Sequence, residues 1–266
     1  MTNKQQPLAY IHPEAKLGNG VVVEPFSYIA ADVVIGDGTW IGPNVTIMDG
    51  ARIGKNCRIF PGAVISAIPQ DLKFRGEKTT AEIGDNNTIR ECATINRGTA
   101  SKGKTIVGNN NLLMAYTHIA HDCVVGNNII IGNGSQIAGE VVIDDYAILS
   151  GNVLVHQFEH IGGHVMIQGG CRVNQDIPPY IIAAHEPVAF AGINVIGLRR
   201  RSFSPEQLET IQTTYRLLYN QGMNTTQALE SIESKIPQTA ERDTILNFIK
   251  TSERGIVRAR ASKDMA

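Results

Sequence analysis

Residues 107–178 read VGNNNL LMAYTH IAHDCV VGNNII IGNGSQ IAGEVV IDDYAI LSGNVL VHQFEH IGGHVM IQGGCR VNQDIP, an unbroken run of six-residue blocks that each open on Val, Leu or Ile. Neither a helix, with period 3.6, nor an amphipathic strand, with period 2, puts an aliphatic residue at every sixth position. A hexapeptide β-helix does, because short parallel strands joined by tight turns stack one aliphatic side chain per strand in a common interior. The same beat runs from Ile11 through Leu17, Val23, Ile29 and onward to Ile65, and resumes at Ile83, Ile89 and Ile95.

Two further columns support this reading. Glycine follows the aliphatic at 18, 36, 42, 54, 84, 108, 126, 132 and 162, where an unusual backbone conformation is expected. The fifth place is usually small (Ala15, Ser27, Thr39, Ala51, Ala63, Ala93, Ser135, Ala147), as a crowded inner corner requires. Cys57, Cys123 and Cys171 share that place and read as small buried side chains rather than ligands or nucleophiles. The segments 66–82 and 97–104 break the beat and are expected to project as loops, often the binding side of a solenoid.

Beyond about residue 200 the grammar is helical. Ser204-Pro205-Glu206-Gln207 reads as an N-cap with a capping-box glutamine, and Leu208, Ile211, Tyr215 and Leu218 mark an apolar face. A second helix starts at Thr225 and a third covers 239–252, followed by a basic, frayed end over 255–266. The expected division is a β-helix over 1–198 and a helical domain over 199–266.

With 24 basic and 25 acidic residues the net charge is −1, so no global field favours nucleic acid or an anionic membrane. The most apolar stretch, 180–198, is interrupted by His185, Glu186, Pro187 and Asn194 and is no membrane span. The first residues lack a signal-peptide pattern, so a cytoplasmic protein without membrane insertion is expected.

Three hexads close one triangular coil, so residues 18 apart stack at roughly 4.8 Å. His121, Gly139 and Gln157 then form one outward column near a corner, with His118 on the preceding face and His156 beside Gln157. The histidines are poorly converged for zinc, and no metal is expected. A titratable ring, a glycine backbone and an amide in one column suit a catalytic or binding edge.

With these residues in hand the chain resembles, over essentially its whole length, the UDP-N-acetylglucosamine 3-O-acyltransferases that open lipid A synthesis. The resemblance lies in QDLK (70–73), IRE (89–91), RGT (97–99), NLLM (111–114), HIAHDC (118–123), VHQF (155–158), QD-x-PPY (175–180) and G-x-N-x-x-GL-x-RR (192–201). The repeat alone is shared by many acyltransferases, whereas HIAHDC with VHQF and the arginine pair is specific. The resemblance implies a left-handed parallel β-helix, a homotrimer with active sites between subunits, and no cofactor. It implies transfer of an (R)-3-hydroxyacyl chain from acylated acyl carrier protein to the 3-hydroxyl of UDP-N-acetylglucosamine.

On the same basis His121 matches the general base, Asp122 its orienting carboxylate and Gly139 the oxyanion donor. Gln70, Asp71, Lys73 and His118 match sugar and acyl contacts, and His156 and Gln157 the nucleotide pocket. Asn194, Arg200 and Arg201 match ribose and diphosphate contacts, and Gly169 the position that limits acyl length, where glycine implies a long chain. Three residues depart from the family pattern: Glu140 for histidine, Ile196 for an acidic residue, and Gln168 for a small one beside Gly169. Arg199 to Arg201 with Arg254, Arg258, Arg260 and Lys263 suit an acidic carrier protein. The rival readings are the sister N-acyltransferase acting on a glucosamine amine, a non-catalytic β-helix scaffold, and a γ-type carbonic anhydrase on the same fold.

Overall fold

The computed structural model describes residues 4–5, 7–219 and 222–259; Arg260 and Lys263 lie outside the described residues. Short strands stack into three sheets of 11, 9 and 8 strands, the faces of a triangular prism that forms a left-handed parallel β-helix. The stacking interval is 18 residues: Ile119 pairs with Ile137, Ile137 with Val155, and Val155 with Val173. These aliphatics are buried in one continuous core. Each contributes about 1.5–3 kcal/mol relative to an exposed position.

The glycine columns divide differently from the sequence expectation. The second-place glycines keep ordinary negative φ. A Cβ on Gly36 would stand 2.6 Å from the carbonyl carbon of Gly54 in the next coil. Close approach of successive coils, rather than an unusual dihedral, excludes a side chain there. The left-handed conformation sits at the fourth place instead, as at Asn44 (φ 56°), Asp122 (φ 61°) and Glu140 (φ 62°). Asn and Asp tolerate it better than most residues.

The corner between the third and first sheets is held by a ladder of side chains. The Asp145 carboxylate accepts from Asn127 N–H at 2.7 Å, Asn127 Oδ1 from Asn109 N–H at 2.8 Å, and Asn109 Oδ1 from Asp85 N–H at 2.7 Å. Each rung satisfies an amide that the turn leaves without a strand partner.

Both interruptions fall at one other corner. Residues 68–79 leave the strand Val64–Ala67 of the second sheet and return at Thr80–Ile83 of the third. Residues 97–103 run likewise from Thr94–Asn96 to Lys104–Val107. Between the second and third sheets, this is the corner that also carries His121.

The coil ends with a hairpin the sequence pattern did not indicate. Ile181–Ala184 extends the first sheet and pairs antiparallel with Ala189–Ile193. Helix α1 (Val195–Arg200) follows, so the expected limit of the β-helix at residue 198 falls inside a helix. Then come α2 (Pro205–Tyr219), α3 (Thr225–Lys235) and α4 (Ala240–Thr251). Ser204 and Gln207 form the anticipated reciprocal cap of α2. Tyr215, on the apolar face of α2, donates its hydroxyl to Pro179 O at 2.6 Å. The expectation of a frayed end from 255 is corrected as far as the chain is described. Ile256 bridges Asp176, Ala259 bridges Phe190, and Val257 is fully buried. Docking pairs backbone groups that the last coil would otherwise expose. Among the described residues no helix is long and apolar enough to cross a membrane.

One fifth-place residue is acidic. Glu159 is fully buried, and neither carboxylate oxygen has a hydrogen-bond partner. Burial pushes its carboxyl up and nearby Asp176 adds to this. Arg254, whose Nε lies 3.5 Å away, opposes them, leaving it at about 7. Because the folded carboxyl binds its proton more tightly than an unfolded glutamate near 4.3, stability falls as pH rises between those values. Thermal melts should therefore show Glu159→Gln matching wild type near pH 4 and exceeding it by about 2 °C or more at pH 8. A gap of constant size across that range contradicts this account.

Candidate active site

His121 occupies the turn between the strand His118–Ile119 of the second sheet and Val124–Val125 of the third. Its ring is almost buried, and Nδ1 lies 2.8 Å from Asp122 Oδ2. Asp122 is fully buried and also accepts from the Thr99 hydroxyl at 2.6 Å and the Thr99 N–H at 3.0 Å. Burial works to raise the Asp122 carboxyl, but the hydrogen bonds from Thr99 and His121 outweigh it and hold the carboxyl below its ordinary value. An ionised carboxylate at Nδ1 keeps the ring proton there and leaves Nε2 with its lone pair.

Gly139 stands directly above. A Cβ built on it would come within 2.6 Å of His121 Nε2 and 3.1 Å of Gln157 Nε2, so only glycine leaves room for the ring. The column of His121, Gly139 and Gln157 is thus realised. Gln70, His118, His121, Gly139 and Gln157 line one pocket of about 320 Å³, which Leu154 and Ile137 make apolar on one side. His118 Nδ1 lies 2.7 Å from the Thr94 hydroxyl. Burial, with a smaller contribution from His121, lowers its basicity, so it is a neutral hydrogen-bonding group near pH 7.

The other expected residues are dispersed. Asp71 closes its own turn by accepting from Lys73 N–H at 2.8 Å, and Lys73 is exposed on the projecting loop. His156 points away from the pocket, with Nδ1 3.3 Å from Arg254 Nη2 and 3.8 Å from Glu159 Oε1. Gln168, Gly169, Asn194 and Arg200 gather around a second, largely apolar groove of about 680 Å³ on the first sheet. Asn194 is buried and occupied as the N-cap of α1, accepting from Gly197 N–H and donating to His164 O. Arg201 lies over the Tyr146 ring at 5.0 Å and donates to Tyr146 O, so it braces the end of α1. Ile196 is exposed beside the groove. Glu140 faces Lys102, with Oε2 3.7 Å from Nζ. Among the described residues no three His, Cys, Asp or Glu side chains converge as a metal site.

The motif RGT does not by itself indicate that Thr99 and Lys102 meet the Asp122 carboxylate. Asn96, absent from the expected set, is a nearly buried pocket-lining residue whose Oδ1 has no partner and so offers an acceptor to a bound ligand. The available signal was its place directly after Ile95, where glycine or alanine often stands.

Comparison with known proteins follows the same lines. Residues 176–257 match the family model described as UDP N-acetylglucosamine O-acyltransferase, domain 2, and residues 32–67 and 104–139 match the bacterial transferase hexapeptide model. The acyl-[acyl-carrier-protein]–UDP-N-acetylglucosamine O-acyltransferase of Trichlorobacter lovleyi is 54% identical over 254 residues, covering 94% of this chain and 97% of that protein. A UDP-N-acetylglucosamine acyltransferase structure from Bacteroides fragilis matches with a TM-score of 0.94 at 61% identity, over 95% of this chain and 99% of that one. The corresponding Francisella novicida structure gives 0.94 at 44% identity, over 98% and 96%. With its stacked hexads, its histidine corner and these whole-length similarities, the chain belongs to the acyl-[acyl-carrier-protein]–UDP-N-acetylglucosamine O-acyltransferase family.

Proposed function

We propose that this chain transfers an (R)-3-hydroxyacyl group from acylated acyl carrier protein to the 3-hydroxyl of UDP-N-acetylglucosamine, with His121 as general base. The observation that carries the reading is the 2.8 Å contact of His121 Nδ1 with buried Asp122, which leaves Nε2 facing the turn at Gly139. A sugar hydroxyl is a weak nucleophile at neutral pH and needs a base that titrates near that pH. Nε2 takes the hydroxyl proton as the oxygen attacks the thioester carbonyl. Asp122 stabilises the imidazolium that forms, and the Gly139 N–H is placed to receive the developing oxyanion. Collapse of the tetrahedral intermediate breaks the C–S bond, and the departing sulfur recovers the proton from His121.

The contacts separate onto two faces of the prism. His121, His118, Gln70 and Gln157 belong to the corner of the second sheet, whereas Arg200, Asn194, Gln168 and Gly169 surround the groove on the first. A complete site therefore joins the second-sheet corner of one copy to the first-sheet groove of another, which a cyclic homotrimer provides three times. In that arrangement Arg200 supplies local positive charge for the diphosphate, with Arg201 and Asn194 holding α1 in place. Asp71 and Lys73 reach the sugar from the projecting loop, and His156 meets the nucleotide. Gly169 leaves the apolar groove open to a long acyl chain beside Gln168. Both substrates are water-soluble, which suits a cytoplasmic reaction.

With purified protein, His121→Ala should lower kcat by roughly two to four orders of magnitude while leaving the oligomer intact by sedimentation. Equal activity of the variant and wild type removes His121 as base. Mixing inactive His121→Ala and Arg200→Ala chains through a refolding step should recover about a quarter of wild-type activity, because one site in four then draws both intact residues from different copies. No recovery, with mixed oligomers demonstrated, places both residues within one chain's site. Gly169→Met should shift preference in acyl-chain competition from long to shorter donors; unchanged preference takes Gly169 out of the acyl groove.

A further inference from the structure

We infer that the loop 97–103 is a strap that orients the His121–Asp122 pair and balances the charge around it, with Thr99 and Lys102 as positioning residues. The inference rests on His121 being the base.

The strap's grip on Asp122 is extensive. Asp122 Oδ1 accepts from Thr99 N–H at 3.0 Å and from Lys102 N–H at 3.3 Å, while Oδ2 accepts from Thr99 Oγ1 at 2.6 Å and faces His121 Nδ1 at 2.8 Å. The Asp122 amide is held in turn by Thr105 Oγ1 at 2.9 Å. The strap is itself tied down. Gly103 N–H donates to Thr99 O, and the Thr79 hydroxyl donates to Gly98 O at 2.6 Å. A surface loop with no task at Asp122 has no reason to direct a nearly buried threonine and two main-chain amides at one carboxylate.

Lys102 performs the second task. Glu140 lies one coil above Asp122, and its N–H donates to His121 O at 3.0 Å, so a second acidic residue is stacked on the pair. Unopposed, that charge favours the protonated ring before substrate arrives. Lys102 Nζ, 3.7 Å from Glu140 Oε2, opposes it. The charged and titratable groups around the ring are Asp122 beside it, Glu140 from the coil above, Lys102 from the strap and His118 from the preceding strand. Cys123 lies inside the corner, where burial pushes its thiol up to about 12, so it stays neutral. Partial exposure of both Lys102 and Glu140 limits the size of the effect without changing its sign.

The test is the pH profile of kcat/KM for acyl transfer to UDP-N-acetylglucosamine by Thr99→Val, Thr99→Ser, Lys102→Met, Lys102→Met/Glu140→Gln and His121→Ala beside wild type. Lys102→Met should move the acid limb up by about half a pH unit, a roughly threefold loss below the limb, and removal of Glu140 as well should return it. Thr99→Val should lower kcat by about tenfold at constant KM for the sugar nucleotide, and Thr99→Ser should restore it. An unmoved limb in Lys102→Met, a shift that the double variant fails to reverse, or a Thr99→Val loss that serine does not rescue overturns the inference. If His121→Ala is as active as wild type, the base assignment falls and takes the strap with it. If His121→Ala is inactive while the Thr99 and Lys102 variants behave as wild type, the strap alone falls.

Discussion

Each coil carries the next through main-chain hydrogen bonds at an interval of 18 residues, and almost every other feature of the molecule is a consequence. The interval places Ile119 beneath Ile137 and Val155 and keeps the core continuous along the prism. It also brings Gly36 within contact of Gly54, which is why a side chain is excluded at that glycine. Where residues are added, the pairing absorbs them without loss of register: Arg58 meets Thr88 and Thr94 meets His118. The extra residues are ejected at a corner, because a strand cannot lengthen without displacing its neighbours.

One hexad position serves two purposes, depending on the corner. Between the third and first sheets the third place carries Asp85, Asn109, Asn127 and Asp145, whose side chains cap amides of adjacent coils. Between the second and third sheets the same place carries His121, Gly139 and Gln157. Replacing a capping oxygen by an imidazole gives up a rung and gains a titratable group held by a rigid backbone. The loops 68–79 and 97–103 rise at that second corner and cover it, so His121 becomes nearly buried on a surface that elsewhere exposes the third place. Burial in turn strengthens the interaction between the ring and Asp122.

Charge is handled locally in a chain whose net charge is −1. Asp122 is kept ionised by donors from Thr99 and His121, whereas Glu159, in an inner corner with Asp176 nearby, is pushed to about 7. Two buried carboxylates within two coils thus differ in state because one is surrounded by N–H and O–H groups and the other faces a second acid and a single arginine. Arg254 reaches Glu159 and His156 from the segment after α4, so the docked C-terminal end contributes to the charge at the upper end of the histidine corner.

By itself the amino-acid sequence determined the β-helix, the columns, and the stacking of Gly139 over His121, because period and register are properties of spacing alone. It also indicated the α2 cap at Ser204–Gln207, where the partners are three residues apart and the physics is local. The resemblance of HIAHDC and VHQF supplied the candidate roles. The tertiary structure decided what depends on neighbours distant in the chain. The left-handed turns lie at the fourth place rather than the second, since contact between coils sets where a Cβ fits. Arg201 is laid on Tyr146 and His156 is turned toward Arg254, contacts between segments that motif position does not join. Thr99 reaches Asp122 across 23 residues of chain, and no spacing rule announces a hydrogen bond made by an irregular loop. Likewise the separation of His121 and Arg200 onto two faces is invisible in the motifs and follows from the folding of each coil into a triangle.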